Sequence, residues 1–344
     1  MSRYSRQEQE PLLRRSFSLF SALLAFDTPR TALPVRLAFF TANGLLFGIT
    51  RAEYRGICGD WCHYVIFSLL NFPAIRDRVL ELNREDCRSM DKEYVPTTTW
   101  IRHAPTMRRK FSRAGRPFAV PFPPPPLLQM VPYALFESAV DIGDQSHLAV
   151  QASKVAALTN PEPDDQLAAA TFAVFLRELI KCQAPSPDAL EIAISQALCS
   201  AYCALTEESP DTDFSKPFTR LRTHLADLRA PVSPDDGTTS ILLTLIRLLL
   251  QAPRNISDVR SLASEWTAAP DFMAALLGTT QAMLSPNDFQ IPEDLMNRHP
   301  LAPTAKILAE DLIGGWFVCN SYTTHPSAEQ RRWDNAYIYG RNRL

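Results

Sequence analysis

The 344 residues, 46% hydrophobic and 21% charged, can bury a full core in one large domain or two ordinary ones. A net charge of −2 sets up no field that would draw nucleic acid or anionic lipid to the chain. Only 11 glycines argue against glycine-rich phosphate loops, while 28 prolines suit helices separated by rigid breaks.

Helical periodicity dominates from the start of the chain. A polar lead-in covers residues 1–30 and carries an amphipathic helix around Leu12 to Phe26. Its early arginines are mixed with Glu8 and Glu10, and no signal-peptide pattern follows. Leu37 to Ile49 is apolar but short and interrupted by Thr41, Asn43 and Gly44, so it predicts a buried helix rather than a membrane span. Helices are expected at 9–26, 34–49, 58–71, 73–84, 128–138, 144–158, 164–182, 187–206, 215–229, 237–251, 257–267, 271–284 and 303–318. Ser186-Pro187-Asp188 and Ser257-Asp258 supply start signals, and Pro185, Pro231, Pro253 and Pro286 mark breaks. No run alternates well enough to predict a strand. The fold class is therefore all-α.

Two segments stand apart from this pattern. Residues 114–127 contain four consecutive prolines at 123–126, which favour an extended conformer. They serve either as a stiff connection or as a ligand for a proline-recognising domain. The end, Arg331 to Leu344, mixes arginine with Trp333, Tyr337 and Tyr339. It reads as a strap across its own domain or as a surface that holds a partner. Seven scattered cysteines without a CxxC pair point to a reducing compartment, hence a cytoplasmic placement. Cys199 and Cys203, four apart on one helix, are expected to pack as small hydrophobes.

Three stretches resemble the ADP-ribosylglycohydrolase family. LLQMVPYALF begins at Leu127, and the small-residue helix after His147 ends in Thr159-Asn160-Pro161 before a second alanine-rich helix from Gln166 to Ile180. Residues 238–292 are similar to the family's helix pair around its second metal motif, with Gly278 on a helix glycine and Ile291-Pro292 on its Ile-Pro. LAFFTANGLLFGI at 37–49 and GICGDWCHYVIFSLLN at 56–71 resemble the opening helix and the first metal motif. The resemblance covers residues 35–300. It implies a multi-helix orthogonal bundle over 31–320, with the proline-rich connection inside it and a tail from 321 to 344.

The same resemblance implies a reaction that the residues present do not support. Family members hold two magnesium ions with paired aspartates from two motifs, and hard dications need several oxygen ligands. Here the first motif reads Cys58-Gly59-Asp60-Trp61 and the second Ala269-Pro270-Asp271-Phe272. Gly48-Ile49 replaces Gly-Asp, Leu128-Gln129 replaces Met-Arg, and Asn160 replaces histidine. Asp60 and Asp271 alone bring too little negative charge for a bridged pair, leaving at most one weakly held Mg. Both also read simply as acids at helix starts.

The expectation is thus a catalytically inactive relative that binds through Asp60, Asp271, Trp61, Phe272, Asn160 and Gln129, without a cofactor. Its partner would be ADP-ribose, an ADP-ribosylated protein or another protein; neither nucleic acid nor membrane is expected. An active hydrolase would need relocated ligands, with Glu53, Asp141, Asp144 and Glu265 as candidates. A helical interaction or effector protein is the third alternative. No GxSxG, HExxH or P-loop offers different chemistry.

Overall fold

Apolar residues recurring every three or four positions fold the chain into helices, as the periodicity predicts. The computed structural model describes residues 6–55, 125–140, 144–157, 160, 162–181, 187–226, 237–266, 269–292, 294, 298–319 and 328–333. The helices among them are α1 (Arg6–Ala25), α2 (Ala32–Arg55), α3 (Leu127–Val140), α4 (Gln145–Ala156), α5 (Pro163–Lys181), α6 (Pro187–Glu208), α7 (Ser215–Ala226), α8 (Gly237–Leu249), α9 (Ile256–Trp266), α10 (Pro270–Leu284), α11 (Ala302–Cys319) and α12 (Ala328–Trp333). No strand forms among the described residues; a single parallel bridge joins Asn255 to Gln290. The fold is all-α. The helices expected at 58–71 and 73–84, Asp60, Trp61, most of the proline run and the tail beyond 333 lie outside the described residues.

Two helices form the centre. In α5 every residue from Leu167 to Arg177 is buried, so this helix has no solvent face. Its alanines at 168, 169, 170 and 173 let neighbours approach closely, and it touches α3, α4, α6, α7 and α8. In α10 the buried run is Met273 to Met283, packed against α1, α9, α8 and α3. The segment before residue 31 belongs to this core. Leu19, Phe20 and Leu23 of α1 are buried, and the Phe20 ring meets Phe39 of α2 at 5.4 Å in a tilted pair. Each such fully buried side chain contributes about 1.5–3 kcal/mol.

Long-range polar contacts fix helix direction. Arg15 of α1 donates to the carbonyl oxygens of Met283 (3.0 Å) and Leu284 (2.7 Å) at the C-terminus of α10. Burial pulls its guanidinium below its usual pKa. Fifteen residues on, just past the end of α1, Arg30 pairs with Asp271 at the N-terminus of α10. Between these pins Phe26 lies against Gly278, where any Cβ would overlap its ring. The helices therefore run antiparallel, and glycine at 278 is required by this close approach.

Local caps explain several boundaries. Asp144 accepts the His147 N–H at 2.8 Å and starts α4. For α9 the cap is Asn255, not the Ser257 that the sequence suggests. Asn255 Oδ1 accepts the Asp258 N–H, while the Asp258 carboxylate accepts from Asn255 Nδ2 and the Arg254 N–H. At the other extreme of the chain, Arg332 of α12 grips the buried Asp311 of α11 at 2.8 Å. The described part of the C-terminal segment is thus strapped to its own domain.

The apolar length of α6 differs from what the sequence suggests. Ala189–Glu208 is long and apolar enough to cross a membrane by composition. Its inner face packs on α4, α5 and α7. The expected burial of Cys199 and Cys203 is incorrect: both are exposed. They sit on the outer face of α6, while Ala197, Leu198, Ala201 and Leu205 take the inner one.

Candidate functional site

The positions singled out by the family resemblance are built into the helical frame. Asp271 follows Pro270 in the first turn of α10, where an acid suits the helix dipole. Its carboxylate receives Arg30 at 3.1 Å, with both side chains at least half exposed. Phe272 is partly buried and packs on the core. Gln129, 4% exposed on α3, accepts a hydrogen bond from the Thr41 hydroxyl of α2 at 3.2 Å. Asn160, 5% exposed, donates to Asp165. Asp271, Gln129 and Asn160 thus tie neighbouring segments together.

The junction around Asn160 shows why. The N-termini of α5 and α8 meet there side by side. Thr239 donates to Asp164 at 2.8 Å, Thr238 donates to Asp165, and Arg220 of α7 approaches Asp164 at 3.4 Å. Burial raises the Asp165 pKa, while the bonds from Thr238 and Asn160 draw it back. Two acids at the start of α5, satisfied by hydroxyls from the start of α8, make a clamp.

Magnesium does not fit the donor set that the described residues offer. Asp271 faces the Arg30 guanidinium in a solvent-exposed pair, and Asp144 caps α4. Glu265 is exposed on α9, and the side chains of Glu53 and Asp141 lie outside the described residues. Among the described residues no three of His, Cys, Asp and Glu gather as a metal-binding group.

Two further buried polar groups lie beside charged neighbours. Tyr133 of α3 is fully buried beside Glu137 and near Arg177 of α5. Burial first, then the Glu137 charge, pushes its hydroxyl pKa well up. Asp27 carries Arg36 at 3.4 Å and His299 at 3.3 Å, with Asp27 and Arg36 almost fully buried. The other ring nitrogen of His299 accepts the Leu301 N–H at 3.1 Å, so both nitrogens are occupied. That matters for a groove of about 550 Å³ between α1 and the start of α11, floored by Phe17 and Phe20 and bordered by Ser21 and His299. Ser21 donates to the Phe17 carbonyl. With the histidine so bound, the groove holds no serine–base pair.

A second hollow lies at the opposite end of α10 from Asp271. It measures about 520 Å³, within the range of small-molecule sites. Leu179, Leu190, Leu249 and Leu284 give it an apolar floor, drawn from the last turns of α5, α8 and α10 and the start of α6. Arg14, Gln281, Ser285, Asn287 and Asp288 supply polar groups at its edges. Arg14 is 57% exposed and, among the described residues, pairs with the similarly exposed Glu10. Such a pair is worth about 0–1 kcal/mol and exchanges readily for another anion. One wall is strained: Ala252 adopts φ 46°, a left-handed conformation that favours glycine.

Sequence periodicity could not find this cleft, because its residues come from five helices separated by up to 278 positions. Arg14 looked like part of a polar lead-in, and Ala252 carries no signal that distinguishes a left-handed alanine from any other. No family profile, curated protein or solved structure matches this chain.

Proposed function

We propose that this chain is a catalytically inactive, ADP-ribosylglycohydrolase-like binding protein, and that it recognises an anionic ligand of ADP-ribose type without magnesium. The observation that carries the loss of catalysis is the Asp271–Arg30 pair. A carboxylate that the family would offer to metal here faces the Arg30 guanidinium at the end of α1. Asn160 and Gln129 support the same reading, since each serves a neighbouring helix.

Binding is assigned to the cleft at the other end of α10. Arg14 offers a planar guanidinium that pairs with phosphate in two-pronged fashion. Gln281 and Asn287 offer amide donors and acceptors, and the leucine floor suits the flat face of a base. The polar groups fix orientation, and the apolar floor supplies desolvation.

The test is thermal unfolding with ADP-ribose in chelator, beside a hydrolysis assay on ADP-ribosylated arginine peptide with magnesium. The proposal expects a concentration-dependent rise in Tm for the wild type, its loss in Arg14→Ala, and no product release. Magnesium-dependent hydrolysis would reject it.

A further inference from the structure

Cys199 and Cys203 stand one turn apart on the outer face of α6, both exposed to solvent. The same stripe carries Ile192, 58% exposed, followed by Ser195, and α6 contains no lysine or arginine at all. Its charged residues are Asp188, Glu191, Glu207 and Glu208, and Glu208 is paired with Lys154 of α4 at 2.9 Å.

Helix geometry decides what the pair can do. Side chains at i and i+4 have Cβ atoms about 5–6 Å apart. A disulfide requires about 3.8 Å between them, so oxidation cannot join these two thiols without unwinding the helix. Two thiolates on opposite sides of one soft ion stand up to about 4.6 Å apart if each sulfur–metal bond is about 2.3 Å. That span suits neighbouring turns of an intact helix. Thiolate is also the ligand that selects soft cations over the hard ones that carboxylates hold.

We propose that Cys199 and Cys203 form a surface two-thiolate site for a soft monovalent cation, with Cu(I) as its ligand. Each sulfur exchanges its proton for a bond to the metal, two protons pass to solvent, and copper keeps its charge of +1. Because both sulfurs face water, the ion is open to exchange with another thiol carrier without unfolding of α6. The site is independent of the cleft beside Arg14.

The test is anaerobic competition for Cu(I) against the coloured bicinchoninate complex, using the full chain. Cys58, Cys62, Cys87, Cys182 and Cys319 also contribute thiols, so the signal is a difference between proteins. Wild type should take one more Cu(I) per chain than the C199S/C203S double variant. Each single variant should match the double, because one thiolate alone loses to the chelator. Equal stoichiometry in wild type and double variant would overturn the proposal, as would singles that each keep the full wild-type uptake. A second measurement needs no variant: Cu(I) added to wild type should protect Cys199 and Cys203 together from iodoacetamide, read by peptide mass. Alkylation of either cysteine at its copper-free rate would equally reject the site.

Discussion

The two ends of α10 differ in the partners that their polar groups meet. At the N-terminal end Asp271 meets Arg30, and nearby, where α1 gives way to α2, Asp27 draws in Arg36 and His299. The N-termini of the neighbouring α5 and α8 are clamped in the same way by Asp164, Asp165, Thr238 and Thr239. At the C-terminal end Arg15 caps two carbonyls, but the helices then part around a cleft with an exposed arginine and a left-handed alanine. Satisfied polar groups stabilise, while strain and exchangeable partners are what a binding site retains. Asp271, Gln129 and Asn160, three of the residues that the family resemblance nominated, each bond to a neighbouring segment, and none of them lines the cleft.

The largest expected effect breaks the closed end. Asp27→Ala removes the carboxylate shared by Arg36 and His299 and leaves a buried cation without it. A loss of about 3–5 kcal/mol is expected in denaturant unfolding. Gly278→Ala drives a methyl group into the Phe26 ring where α1 crosses α10, and should cost about 1–3 kcal/mol by the same measurement. A cost near zero would mean that the helices separate more easily than their end pins suggest.

At the open end the sign reverses. Ala252→Gly relieves a left-handed alanine, and after the entropy of glycine is subtracted the expected gain is about 0.5–1 kcal/mol. A stabilising substitution in the cleft wall, next to destabilising ones at the clamps, would sharpen the contrast between the two ends.

The smallest effect is a pH dependence at the α5–α8 clamp. Folding raises the Asp165 pKa above its usual 3.8, so the folded state binds this proton more tightly than the unfolded state. The favourable contribution is complete below that usual value and disappears as pH rises through the raised one. Asp165→Asn cannot titrate there. Its stability relative to wild type should therefore increase from about pH 3.5 to neutral and then level off, as read from denaturant midpoints. A flat difference would show that Thr238 and Asn160 fully compensate the burial.

Much of the helical frame was legible in the sequence because periodicity is local. The predicted 271–284 and 164–182 agree with α10 and α5 to within a residue. What periodicity could not show is which distant partner each polar residue meets. Arg15 reaches Met283 and Leu284 across 268 and 269 positions, and Arg30 reaches Asp271 across 241. Asp271 was recognisable as a helix-start acid, but its guanidinium partner was not. The two cysteines were misplaced because α6 has small, weakly polar residues on both faces, so pattern alone does not orient it.

The most direct measurement is calorimetric titration of ADP-ribose into wild type, Arg14→Ala and Asp271→Asn, each with magnesium and with chelator. Binding that is indifferent to magnesium, survives Asp271→Asn and vanishes in Arg14→Ala is the predicted result. Binding that requires magnesium and is lost in Asp271→Asn would contradict it and return the site to the N-terminal end of α10.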